Sequence, residues 1–169
     1  MRGGATVIQL RLKHTDARTL VDLGRAMVAA LPVPVIVNDR ADVALACGAA
    51  GVHVGADDVP VSALRRIAPA GFIIGASIRA EIEGADYVGI GPVFGTTSKA
   101  DAPSAIGIDG FLALRARTTA PAVAIGGITA ETAGALKRAG AAGVAAIGAI
   151  FGTDDPEAAA RAIRTAWNT

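Results

Sequence analysis

Seven short runs rich in β-branched and small apolar residues punctuate this chain: Thr6–Arg11, Pro34–Asn38, Gly51–Gly55, Phe72–Ser77, Asp86–Gly91, Ala122–Gly126 and Gly143–Ile147. Between them lie stretches with helical spacing, Ala17–Leu31, Ala41–Cys47, Val61–Ile67, Ile108–Arg117, Glu131–Ala139 and Pro156–Trp167, with Asp16, Thr129 and Asp155 suited to start three of them. Strand and helix in alternation predict a parallel sheet, because parallel neighbours must be joined by a crossover. The run Val33–Val37 is apolar throughout, as a strand covered on both faces requires. A closed barrel and an open doubly wound sheet both satisfy this pattern.

An internal echo favours the barrel. Cys47-Gly-Ala-Ala-Gly-Val-His53, Ile82-Glu-Gly-Ala-Asp-Tyr-Val88 and Arg138-Ala-Gly-Ala-Ala-Gly-Val144 each place a Gly-Ala turn just before a strand. The expected fold is therefore α/β, a TIM-type (β/α) barrel forming a single domain over residues 1–169. Two departures from a complete barrel are expected. The first strand run follows Gly3-Gly4-Ala5 with no strand before it, so strand one of the barrel is expected to be lacking. Only eight residues separate Ser77 from Asp86, where a crossover with its helix needs about 10–12, so that crossover is expected to be shortened.

Composition removes several function classes. The 169 residues hold 16 basic and 15 acidic side chains, a net charge of +1, which gives no general attraction to nucleic acid or an anionic membrane. Apolar runs are broken by Gly, Pro or charge well short of the roughly 20 residues needed to span a bilayer. No secretory leader pattern opens the chain and the single cysteine, Cys47, cannot form an internal disulfide, so a reducing cytoplasm is the expected compartment. Cys47 sits in an apolar helix and reads as packing.

The chemistry-bearing residues sit at strand ends. Gln9, Arg11 and Lys13 alternate with apolar residues, so an extended backbone would set all three on one face, either lining a barrel mouth toward an anion or forming the outer face of an edge strand. Asn38-Asp39-Arg40 follows the second run and Gly55-Ala-Asp-Asp58 the third. Asp39 and Asp58 would then approach across adjacent strand ends as oxygen ligands for Mg²⁺ carrying a polyphosphate, with Asp57 the decoy; alternatively each caps the helix that follows it. His53 shares the inward parity of its strand and reads more readily as a satisfied core histidine than as a catalytic group.

Gly89-Ile-Gly-Pro-Val-Phe-Gly-Thr-Thr-Ser-Lys99 runs from a strand end into a glycine-bounded loop rich in hydroxyls and closed by a lysine. Thr96 and Ser98 can donate to phosphate oxygens and Lys99 adds a charge, but the spacing is not that of a nucleotide P-loop. Ala124-Ile-Gly-Gly-Ile128 and Ala146-Ile-Gly-Ala149 end the last two strand runs, where barrels of this type bind phosphate through backbone N–H groups, and the glycines could equally be tight-turn residues.

Taken together, Gln9-Leu-Arg-Leu-Lys13, Val37-Asn-Asp-Arg40, Gly51-Val-His-Val-Gly55 with Asp58, Gly75-Ala-Ser77, Gly84-Ala-Asp-Tyr-Val-Gly-Ile-Gly-Pro-Val-Phe94 with Thr96-Thr-Ser-Lys99, and Ile125-Gly-Gly-Ile128 make the chain resemble the thiamine-phosphate synthase family along essentially its whole length. The resemblance implies a Mg²⁺-dependent transferase that joins hydroxymethylpyrimidine pyrophosphate to thiazole phosphate, releasing pyrophosphate. It implies that Gln9, Arg11, Lys13, Asn38 and Lys99 bind the pyrimidine pyrophosphate, that Asp39 and Asp58 hold Mg²⁺, and that Ser77 contacts the departing pyrophosphate. It further implies that Thr96 and Ser98, with backbone at Gly127, Ile147 and Gly148, bind the thiazole phosphate, and that Lys99, Ser77 and Arg11 carry the catalytic burden. Ala56 stands where the family usually has Gln, Gly148 where it has Ser, and Arg79 where relatives often carry His. The nearest rival is a thiazole tautomerase of the same family, which the absent His disfavours. A non-catalytic phosphate-binding relative is the rival from another class, since an incomplete barrel exposes strand edges that a partner or a second copy would cover. The expected partners are small molecules, not nucleic acid or membrane.

Overall fold

The computed structural model describes residues 1–96 and 103–169. They pack as two compact units, Thr6–Asp86 and Tyr87–Thr169, the second joined by Arg2–Ala5. All seven expected strands form, each somewhat shorter than its apolar run.

In the first unit the order is β1 (Ile8–Leu10), α1 (Ala17–Ala30), β2 (Val35–Asn38), α2 (Ala41–Cys47), β3 (Gly51–Val54), α3 (Val61–Ile67) and β4 (Ile73–Ser77). The four strands are parallel and pair in chain order, with Gln9 opposite Ile36, Asn38 opposite His53 and His53 opposite Gly75. Val35, Ile36 and Val37 are all buried, so β2 is covered on both faces as its sequence demands. Asp16 starts α1 by accepting the Thr19 N–H at 3.0 Å. Gly24 of α1 lies against Cys47 of α2, where a Cβ would come within 2.7 Å of the sulfur, so the two helices approach at a glycine and the cysteine is a packing residue. Val43, Ala44, Val52, Leu64 and Ile74 complete the core between sheet and helices.

Residues 78–86 run through turns before the next strand. Two side chains hold this stretch. The Asp86 carboxylate accepts the Ile74 N–H at 2.7 Å and the Arg65 guanidinium at 2.6 Å, and Arg65 also donates to the carbonyls of Gly84 at 2.9 Å and Phe72 at 3.1 Å.

The second unit contains β5 (Tyr87–Ile90), α4 (Gly107–Arg115), β6 (Ala122–Ile125), α5 (Ala130–Arg138), β7 (Gly143–Ala145), α6 (Gly148–Phe151) and α7 (Pro156–Asn168). Its three strands are again parallel, with Val88 opposite Ala122 and Ala124 opposite Val144. Phe111, Leu136 and Ile163 are buried in this unit. Asp155 starts α7 by accepting the Ala158 N–H at 2.9 Å, and at the start of α5 the Thr129 N–H donates to the Thr132 hydroxyl at 3.0 Å. The four-residue α6 is not signalled by the sequence, because it is too short to show a helical period and opens on glycine. No helix among the described residues is long and apolar enough to cross a membrane.

Candidate active site

Parallel strands all present their C-terminal ends on one side, so the loops after β1 to β4 gather there. Strand pairing of β1 ends at Leu10, and Arg11 and Lys13 lie in the loop beyond it rather than on an extended face. Gln9 is exposed on the strand. The strict two-residue alternation expected from Gln9 to Lys13 therefore stops at Leu10, where the ladder with β2 gives out.

Asp39 follows β2 in a left-handed conformation, φ 64°, that residues other than glycine adopt rarely and Asp and Asn tolerate best. Its N–H still donates to the His53 carbonyl at 2.8 Å, carrying the β2–β3 pairing one residue past the strand before the chain turns. Asp58 is fixed by its own turn: its carboxylate accepts the Gly55 N–H at 2.7 Å. Neither aspartate caps a helix. The residues at the cap positions of α2 and α3 are Arg40 and Pro60, so the capping alternative gives way to a different use of both carboxyls.

That use is a shared electrostatic environment. The Asp39 carboxyl is raised above the ordinary range, first by burial, then by the negative charge of Asp58 and a hydrogen bond between the two carboxyls, while Lys13 and Arg11 pull it down. Two carboxyls and two cations from the ends of β1, β2 and β3 thus act electrostatically on one site. The two carboxyls fit a hard divalent cation: they offer oxygen donors only, and their mutual repulsion would be relieved by a bound cation. Three or more candidate metal-binding side chains do not cluster among the described residues, so remaining ligands of such an ion would have to be water or phosphate oxygens. Asp57 is exposed.

His53 and Ser77 meet from the neighbouring strands β3 and β4. His53 Nε2 lies 3.2 Å from Ser77 Oγ. Burial depresses the imidazole pKa to about 4, with Asp58 pulling the other way, so the ring is neutral near pH 7. The sequence placed His53 on the inward face but did not connect it to Ser77. The signal was the register of β3 on β4, which pairs His53 with Gly75 and brings Ser77, two residues on, to the same face.

In the second unit the loop after β5 folds onto the one after β6. Val93 and Phe94 N–H groups donate to the carbonyls of Ile125 (2.8 Å) and Gly126 (3.0 Å). Gly126 and Gly127 are left-handed, φ 86° and 64°, and a Cβ on Gly127 would lie 2.4 Å from the Gly95 carbonyl oxygen. The diglycine is therefore required by close backbone approach, beyond its role as a turn. Thr96 ends the described part of the β5 loop, and Ile147 and Gly148 form the start of α6 directly after β7, where leading N–H groups of a helix lack intrahelical partners. Ser98 and Lys99 lie outside the described residues.

A model of the thiamine monophosphate synthase family matches residues 1–150. This chain belongs to that family. Thiamine-phosphate synthases of Chloroflexus aurantiacus and Roseiflexus castenholzii are 46% and 47% identical over 96% of this chain and 79% and 76% of their own lengths. A solved thiamine phosphate pyrophosphorylase from Pyrococcus furiosus superimposes with a TM-score of 0.87 at 37% identity, covering 99% of this chain and 85% of that one. 3-Hexulose-6-phosphate synthase, at 22% identity and a TM-score of 0.74 over 96% of this chain and 87% of that one, shares the fold alone. The fold is accordingly the α/β TIM type.

Proposed function

We propose that this chain is a Mg²⁺-dependent thiamine-phosphate synthase, a transferase that condenses hydroxymethylpyrimidine pyrophosphate with thiazole phosphate and releases pyrophosphate. The observation that carries the site assignment is the convergence of Arg11, Lys13, Asp39 and Asp58 at neighbouring strand ends, with the Asp39 carboxyl raised by burial and by Asp58. An arrangement of two cations beside two crowded carboxyls is what a metal-bound pyrophosphate needs: the carboxyls take the metal and the cations take phosphate oxygens.

In this reading Gln9, Arg11, Lys13, Asn38 and Lys99 bind the pyrimidine pyrophosphate, and Asp39 and Asp58 hold Mg²⁺, which when bound neutralises charge on the leaving pyrophosphate. Ser77 donates a hydrogen bond from its hydroxyl to that group. Arg11 and Lys99 stabilise the charge that builds on it as its bond to the pyrimidine methylene breaks. The thiazole phosphate is held by the Thr96 and Ser98 hydroxyls and by backbone at Gly127, Ile147 and Gly148, which fixes the ring nitrogen for attack on the methylene cation. Holding two reactants in this way supplies much of the acceleration, and no general base is required because the attacking nitrogen carries no proton to remove. We read the short turn segment between β4 and β5 as a shortened crossover of the family barrel, held by Arg65 and Asp86 in place of a helix.

The test is pyrophosphate release and thiamine phosphate formation by the purified chain with both substrates, with and without Mg²⁺, beside Asp58→Ala. Product that disappears when Mg²⁺ is chelated and falls at least about 100-fold in the variant supports the synthase and its metal pair. Full turnover after chelation removes the metal role, and binding of both substrates without turnover removes the synthase.

A further inference from the structure

Ser77 is not oriented by its own strand alone. The His53 imidazole, from the adjacent strand, brings Nε2 to 3.2 Å from Oγ. It does so from a strand in which all four residues are buried, and opposite Gly75, which contributes no side chain to the face the imidazole occupies. We infer that His53 is a positioning residue for Ser77: its Nε2–H donates to Oγ and thereby directs the Ser77 hydroxyl proton toward the leaving pyrophosphate.

The reasoning is proton counting. A serine hydroxyl has one proton to give and two lone pairs to receive with. Were Nε2 to accept, the hydroxyl proton would be committed to the imidazole, and Oγ would face an anion with lone pairs alone. With Nε2 donating, the proton stays available to a phosphate oxygen, in a charge-assisted bond about twice as strong as a neutral one. A neutral imidazole carries its proton on one nitrogen only, so the tautomer of His53 decides what Ser77 can do. A hydroxyl bonded to bulk water would have to reorient as the leaving charge builds, whereas one held by a buried ring is already aimed.

This inference rests on the reading of Ser77 as the pyrophosphate contact, and the experiment separates the two. Turnover would be measured on the full chain with both substrates and Mg²⁺ for wild type, Ser77→Ala, His53→Leu, His53→Gln and the doubles with Ser77→Ala. The His53 tautomer would be read from multiple-bond ¹H–¹⁵N correlations of the imidazole. The expected result is a proton on Nε2 and a fall in kcat of about 10-fold in His53→Leu, the scale of one hydrogen bond to a charged group. KM for thiazole phosphate should stay unchanged, and His53→Gln, which offers an N–H at similar reach, should recover part of the loss. In the Ser77→Ala background His53→Leu should cost less than about 2-fold more, because the group it orients is gone. Losses that multiply in the double variant, or a proton on Nδ1, overturn the inference while leaving Ser77 in place. Wild-type turnover by Ser77→Ala overturns the Ser77 reading itself and the inference with it. Should His53→Leu fail to give a cooperative thermal transition, the same cycle is read with His53→Gln, whose expected loss is smaller but must likewise vanish without Ser77.

Discussion

Gly127→Ala separates two costs that usually arrive together. Gly127 and Gly140 are both left-handed, φ 64° and 82°. A Cβ on Gly140, just past α5, would meet nothing within 4 Å, whereas one on Gly127 would lie 2.4 Å from the Gly95 carbonyl oxygen and 2.7 Å from the Phe94 Cβ. Gly140→Ala should therefore carry only the left-handed penalty, about 1–2 kcal/mol. Gly127→Ala carries the same penalty plus overpacking against backbone that cannot rotate away, about 1–3 kcal/mol more, for a total of about 2–5 kcal/mol. The assay is urea denaturation of wild type and both variants, with KM for each substrate measured under native conditions. If the diglycine loop relieves the contact by moving, the second readout catches it: KM for thiazole phosphate should rise about 10-fold or more in Gly127→Ala and stay put in Gly140→Ala, since each factor of ten needs only about 1.4 kcal/mol of lost contact. Equal stability losses in the two variants, with unchanged KM in both, would refute the argument that close approach rather than turn geometry fixes Gly127.

Two further outcomes follow from the first unit. His53 titrates near 4 in the folded chain against 6.5 in the unfolded one, so the unfolded state binds the extra proton between those values; its contribution to stability is complete above about pH 6.5 and is lost as pH falls toward 4, about 2–3 kcal/mol across the window. Urea unfolding at pH 7 and pH 4.5 should show that loss in wild type and a smaller one in His53→Gln, and equal losses would remove His53 as the cause. Asp86→Ala should destabilise by about 1–3 kcal/mol by orphaning the buried Ile74 N–H. Asp86→Asn, which keeps an acceptor for Ile74 but not the charge for Arg65, should cost less by the same assay, and the reverse order would make the ion pair the dominant restraint.

Much of this architecture could be read in the chain because its elements speak in periods. Ala41–Cys47 and Val61–Ile67 form helices with the bounds their spacing predicts. Strand runs were read too long, as at Thr6–Arg11 against the observed Ile8–Leu10, because extended, β-branched sequence continues past the last ladder hydrogen bond and only the partner strand decides where pairing stops. Asp39 and Asp58 were legible as a pair because they follow consecutive strands, and consecutive parallel strands end side by side. Their freedom from capping was not legible, since it depends on the left-handed turn at Asp39 and on the bond from the Gly55 N–H. The partnership of His53 and Ser77 spans 24 residues and exists only once the register of β3 on β4 is known.

The conformation of Asp39 also says something about how this chain would respond to selection. At one position the backbone is held where a Cβ is unwelcome and the side chain is held where a second carboxyl crowds it. Glycine would relieve the first burden and an uncharged side chain the second, so nearly every improvement in fold stability at residue 39 leads away from aspartate. Variants chosen for yield or heat resistance alone would drift from it, whereas under the proposed role of Asp39 in holding Mg²⁺ variants required to make product would be drawn back. Under that proposal the residue is a point where durability and chemistry compete directly, and stabilising redesign of this scaffold should begin by leaving it untouched.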